Sequence, residues 1–73
     1  MRNEANMNPG TIAIARRGWG YWDTTNYPYG GNFKRLSEDT LVTARRPIEH
    51  KAETEVQFED GRIGVIQNRA LST

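Results

Sequence analysis

Residues 55–66 read EVQFEDGRIGVI, and the fold depends on how this stretch turns back on itself. Apolar and polar residues alternate on both sides of Asp60-Gly61, which is the period of a half-buried strand. An Asp-Gly pair between two such runs points to a two-residue type I′ loop, because both loop positions need φ > 0. The predicted register faces Glu59 with Arg62, Phe58 with Ile63, Gln57 with Gly64 and Val56 with Val65, so apolar pairs share one face. Gly64 leaves the second face open to close approach by a large side chain or another backbone. Beyond the hairpin, QNRAL (67–71) fits a short 3₁₀ turn, with Leu71 closing the end of the domain.

Upstream, TLVTAR (40–45) is β-rich and predicts another strand, ended by Arg46-Pro47. Residues 48–53, IEHKAE, suit either a single helical turn or a continued edge strand, and KRLSED (34–39) reads as a turn. TIAIARR (11–17) alternates; Ile12 and Ile14 are expected on the inward face and Ala13 and Ala15 on the other. Continued alternation would carry Arg16 inward, so a change of register, such as a bulge, is expected at Arg16-Arg17-Gly18. GWGYWDTTNYPYGGNF (18–33) reads as a long loop or irregular hairpin, since Pro28, Gly30 and Gly31 oppose a helix. A loop of that length in a small domain is usually functional or packed by its own side chains.

The whole chain has 73 residues, enough for one domain, and no cysteine to reinforce it by disulfide or thiolate–metal bonding. Eleven Ile, Leu and Val and seven aromatics must supply the core; six of those aromatics lie between residues 19 and 33. No helical pattern is long enough to cover a sheet. A small sheet must then bury its apolar face by curling on itself. The expected fold is all-β, a partly open antiparallel barrel of four or five strands over residues 10–73, preceded by a flexible polar tail, residues 1–9. No apolar run or leader-like segment is evident, so a soluble intracellular protein and a monomer are expected, without membrane association.

Chemistry is sparse. His50 lies in a charged run with no triad partners in view, and one histidine without cysteine supplies no zinc set. Glu53, Glu55 and Glu59 alternate along one strand and read as a solvated face. Phosphate, calcium and dinucleotide motifs are absent. Neither enzyme activity nor a cofactor or metal is expected. Net charge is +1, but residues 1–36 carry five basic and two acidic side chains, and residues 37–73 five basic and seven acidic. This asymmetry suits an oriented partner.

RRGWGYW (16–22) has the composition of an interaction hot spot, two arginines beside two tryptophans and a tyrosine. A small barrel also needs large side chains in its core, so not all of Trp19, Tyr21 and Trp22 are expected at the surface. A register change would put Trp19 and Tyr21 on one face and Trp22 on the other. An alternative reading lets Trp19, Tyr21 and Trp22 stack on unpaired bases, with Arg16, Arg17, Lys34, Arg35, Arg45 and Arg46 on phosphates. The near-neutral net charge weighs against strong, salt-dependent binding of that kind.

VQFEDGRIGVIQNRAL (56–71) resembles the distal hairpin and closing turn of SH3-like barrels, and the aromatic loop after the first strand resembles their binding loop. ARRG (15–18), YGG (29–31) and RLSEDTL (35–41) resemble elements of small accessory proteins encoded by bacteriophages, here with WGYWDTTNYP inserted between the first two. Small size, missing cysteine and the Asn-rich start are similar to phage regulators that bind host RNA polymerase. The resemblance implies a transcription regulator in the host cytoplasm that impedes initiation or promotes antitermination. It implies contacts through the tail (Arg2, Asn6, Met7) and the aromatic–basic face (Arg16, Arg17, Trp19, Tyr21, Trp22). Single-stranded nucleic-acid binding and a role as a virion assembly adaptor are the alternatives.

Overall fold

A computed structural model of the chain describes residues 8–25 and 32–73, and is all-β. Seven strands form one antiparallel sheet: β1 Ile12–Ala15, β2 Gly20–Asp23, β3 Asn32–Arg35, β4 Thr40–Ile48, β5 Glu53–Phe58, β6 Ile63–Gln67 and β7 Leu71–Ser72. Their order is β3-β2-β6-β5-β4-β1-β7, with β3 and β7 at the two open ends. The strand count therefore exceeds the four or five expected. The additional strands are largely β2 and β3, the arms of the irregular hairpin that was one of the two readings of residues 18–33, with β3 running on into the expected turn at Lys34 and Arg35. Two 3₁₀ turns complete the framework, Glu49–Lys51 between β4 and β5 and Asn68–Ala70 before β7. The first settles residues 48–53 in favour of a turn after Ile48, and the second matches the expected closing turn, with Leu71 buried.

The decisive hairpin forms, one residue out of the expected register. Val56 faces Gly64, Gln57 faces Ile63 and Glu55 faces Val65. The Gly61 N–H donates to the Phe58 carbonyl at 3.0 Å, and the Phe58 N–H to the Arg62 carbonyl at 2.8 Å. Gly61 has φ +96°, while Asp60 stays at negative φ. That is a three-residue loop, a tight turn followed by a left-handed glycine, rather than type I′. The Asp60 carboxylate favours it by accepting the Arg62 N–H at 3.1 Å. The one-residue shift exchanges the faces of β6. Gly64, Ile66 and, beyond the strand, Asn68 point inward with Thr54, Val56 and Phe58; Ile63 and Val65 are only half-buried on the outer side.

β1 is also reversed. Ala13 and Ala15 are buried, whereas Ile12 and Ile14 are 63% and 43% exposed. Four of the eleven buried apolar residues among those described are alanines (13, 15, 44 and 70), so the interior at this side is narrow and takes the small face of the strand. With the alanines inward, Arg16 falls outside by simple alternation and no bulge is required. The chain instead turns at Gly18, φ +92°, a conformation that favours glycine.

β4 runs through Pro47 to Ile48, beyond the predicted stop. Its register against β5 shifts between Ala44 and Arg46, leaving Arg45 as a bulge. Within β4, β1 pairs only with Thr40–Thr43, so the end of β4 has a strand neighbour on one side, where a residue without an N–H is tolerated. At the other terminus, Thr11 N–H donates to the Asn8 carbonyl and Gly10 N–H to the Ala44 carbonyl. Gly10, where the domain is expected to begin, is therefore bonded to β4, and Asn8 closes a turn onto Thr11.

Candidate docking groove and aromatic face

The stretch RRGWGYW is divided between core, groove and outer face. Tyr21 is buried, its ring 4.9 Å from that of Phe58, and its hydroxyl accepts a hydrogen bond from Arg62 Nη1 at 3.2 Å. This residue was grouped with the partner-binding face; its place is the core, because Gly64 opposite Asp23 leaves space beneath the ring. Trp19 is half-buried and packs against the core. Trp22 is 49% exposed and meets Phe33, 53% exposed, edge-on at 5.0 Å and 64°. Alternation along β2 accounts for the split between Tyr21 and Trp22.

Arg16, Arg17 and Trp19 come together with Glu38 and Asp39 around a groove of roughly 400 Å³. Backbone bonds hold its two walls: Gly18 N–H to the Leu36 carbonyl at 2.9 Å and Leu36 N–H to the Trp19 carbonyl at 3.0 Å. The Asp39 carboxylate accepts the Arg17 N–H at 2.8 Å. The Arg16 guanidinium is turned toward the C-terminal turn, donating to Ser72 Oγ at 2.8 Å and to the Arg69 carbonyl. Among the described residues, the Arg17 guanidinium and Glu38 carboxylate make no ion pair. The groove thus offers two cations and two anions beside an indole, with the Arg17 and Glu38 side chains free of the bonds that hold Arg16 and Asp39.

The other basic residues are spread over different elements. Lys34 Nζ lies 3.1 Å from Asp23 Oδ2 and Arg35 Nη1 donates to the Gly18 carbonyl at 2.9 Å. Arg46 Nε is 2.6 Å and Arg45 Nε 3.9 Å from the Glu55 carboxylate. Arg2, Asn6 and Met7 lie outside the described residues. Asp23 is held down to about 2 by the hydroxyl and N–H of Thr25; partial burial opposes this and Lys34 reinforces it. The Arg62 N–H likewise lowers Asp60. Among the described residues no group of three or more His, Cys, Asp or Glu is arranged to hold a metal, and no helix is long and apolar enough to cross a membrane.

Two features escaped the sequence reading. Ile12, Ile14 and Leu41 form an exposed aliphatic stripe, because β1 turns its alanine face inward. Phe33 joins Trp22 across β2 and β3; its spacing from Trp22 gives no local signal, since the two are paired only by the hairpin. The chain matches no protein-family model, no curated protein and no solved structure.

Proposed function

We propose that this protein is a non-enzymatic interaction module, an SH3-like barrel that docks a segment of a larger protein complex in the groove between Arg16–Trp19 and Leu36–Asp39. The single observation that carries this reading is the half-buried Trp19 flanked by Arg17 and Glu38. An indole supplies contact area at small entropic cost, and two opposite charges orient what binds. The hairpin at 58–62, the 3₁₀ turn at 68–70 and the terminal strand on β1 follow one another as the SH3-like resemblance implies, which supports that finer description of the all-β sheet.

The resemblance to small phage regulators supplies the partner: host RNA polymerase, bound in the host cytoplasm so as to impede initiation or promote antitermination. Arg2, Asn6 and Met7 extend the proposed contact from the N-terminus. Co-precipitation of purified host polymerase with the tagged protein tests both levels. Capture by the wild type, lost in the charge-reversed pair Arg17→Glu and Glu38→Lys, is the expected result. Undiminished capture by that pair would reject the groove. Absence of capture by the wild type would reject polymerase as the partner, and capture unaltered by removal of residues 2–7 would reject the N-terminal contact.

A further inference from the structure

We propose that the outer face of the β2–β3 hairpin is a second binding site, a stacking surface for single-stranded nucleic acid. It shares no residue with the docking groove and stands independently of that reading. Trp22 and Phe33 are the two large aromatics exposed among the described residues, and they are paired with each other rather than scattered.

The pair is positioned. A Cβ built on Gly20 would lie 2.1 Å from the tip of the Phe33 ring, so the absence of a side chain at 20 is what lets the ring lie there. Rings already resting against each other and the sheet lose less entropy on binding than free ones. Trp22 and Phe33 also begin a row that crosses five strands, Phe33, Trp22, Val65, Glu55 and Arg46, each opposite the next. Four interstrand steps make this row about 19 Å long on the sheet surface.

The charges along the row are mixed, with one cation in excess, which is compatible with a phosphate backbone. Arg35 stands opposite Gly20, beside the Phe33 ring tip. At the far end Arg45 and Arg46 share the carboxylate of Glu55, and Glu53 lies on the same face of β5 two residues away, so that end is balanced and the excess cation on this face is Arg35. Aromatic rings rather than aliphatic side chains dominate the apolar part, and every base offers a π-face to them. An acidic protein segment would match the charges but would leave the paired rings without their best ligand.

Fluorescence anisotropy of end-labelled 12-nucleotide oligo(U) and oligo(dT) tests the site on the intact protein. Binding of either oligonucleotide is expected, weakened about tenfold by Trp22→Leu, as loss of one stacked base predicts. Gly20→Ala, which keeps both aromatics but displaces Phe33, is expected to weaken it too. One phosphate contact, at Arg35, predicts a fall of only about two- to threefold between 50 and 200 mM salt. Preference for oligo(U) assigns RNA, and equal binding assigns single strands in general; both support the site. No binding at 50 mM salt overturns the proposal, as does binding indifferent to Trp22→Leu in a variant whose melting is unchanged. Complete competition by poly-glutamate at equal charge also overturns it, in favour of an acidic protein segment.

Discussion

Thr54 and Asn68 are hydrogen-bonded to each other inside the sheet, Thr54 Oγ1 donating to Asn68 Oδ1, and both are almost completely buried. They are the buried polar residues of the described core. Thr54 lies on β5 opposite Ile66, and Asn68 opens the closing 3₁₀ turn, so the bond fixes the turn to the sheet. The Asn68 N–H adds a second tie, to the Ala52 carbonyl at 2.9 Å.

Thr54→Val keeps the shape and removes the donor. The Asn68 carbonyl oxygen is then buried without its partner, at a cost of about 1–3 kcal/mol. Pairing it with Asn68→Leu recovers part of the loss, since two apolar groups replace two matched polar ones. Urea denaturation of the two single variants and the double variant measures this. Additive losses would show that the bond contributes nothing beyond its separate groups.

The glycines at 20 and 64 make unequal predictions. A Cβ at Gly64 would lie 2.9 Å from the Trp22 carbonyl oxygen and within about 3.2 Å of the Tyr21 and Phe58 rings, all fixed by the sheet and core. Gly64→Ala is expected to destabilise by about 1–3 kcal/mol. The nominal overlap at Gly20 is more severe, but the atom in the way is the end of an exposed side chain that swings aside. Gly20→Ala is expected to cost under about 1 kcal/mol. Thermal unfolding of both variants orders them, and a greater loss at residue 20 would contradict this account.

The all-β class was legible because alternation and turn residues recur through the chain. The errors share one physical origin, which is that a strand's period is two and its phase is not encoded locally. Asp60-Gly61 announced a hairpin, yet loop length followed from the Asp60 carboxylate capturing the Arg62 N–H. At β1, hydrophobicity favoured Ile12 inward; interior volume favoured Ala13. The groove was half legible. Arg16, Arg17 and Trp19 are adjacent in sequence, but Glu38 and Asp39 join them through pairing of residues 18–19 with 36.

Ala52 is the one non-glycine among the described residues at positive φ, +55°, between the 3₁₀ turn and β5. A left-handed alanine costs roughly 1–2 kcal/mol, and glycine adopts the same conformation freely at some cost in unfolded-state entropy. Ala52→Gly is therefore expected to raise stability by about 0.5–1 kcal/mol. Chemical denaturation with unchanged m-value checks it, and a destabilised variant would show that Ala52 contributes contacts outweighing its strain.

Asp23 couples the β2–β3 hairpin to the rest of the sheet through pH. Its carboxylate accepts the Thr25 hydroxyl at 2.7 Å and N–H at 3.0 Å, and it pairs with Lys34 across the hairpin. The folded value of about 2 lies below the ordinary 3.8, so the unfolded chain binds the proton more readily. The stabilisation is complete above the unfolded value and is lost as pH falls through about 2. Asp60, also lowered, adds a contribution of the same sign. Unfolding free energy measured from pH 5 down to pH 2 should decline, with a shallower slope in Asp23→Asn and a shallower one still when Asp60→Asn is added. Amide signals of Trp22 and Phe33 should report loosening of the hairpin in the same window. An acid profile identical in wild type and Asp23→Asn would show that the Thr25 and Lys34 bonds do not persist in solution.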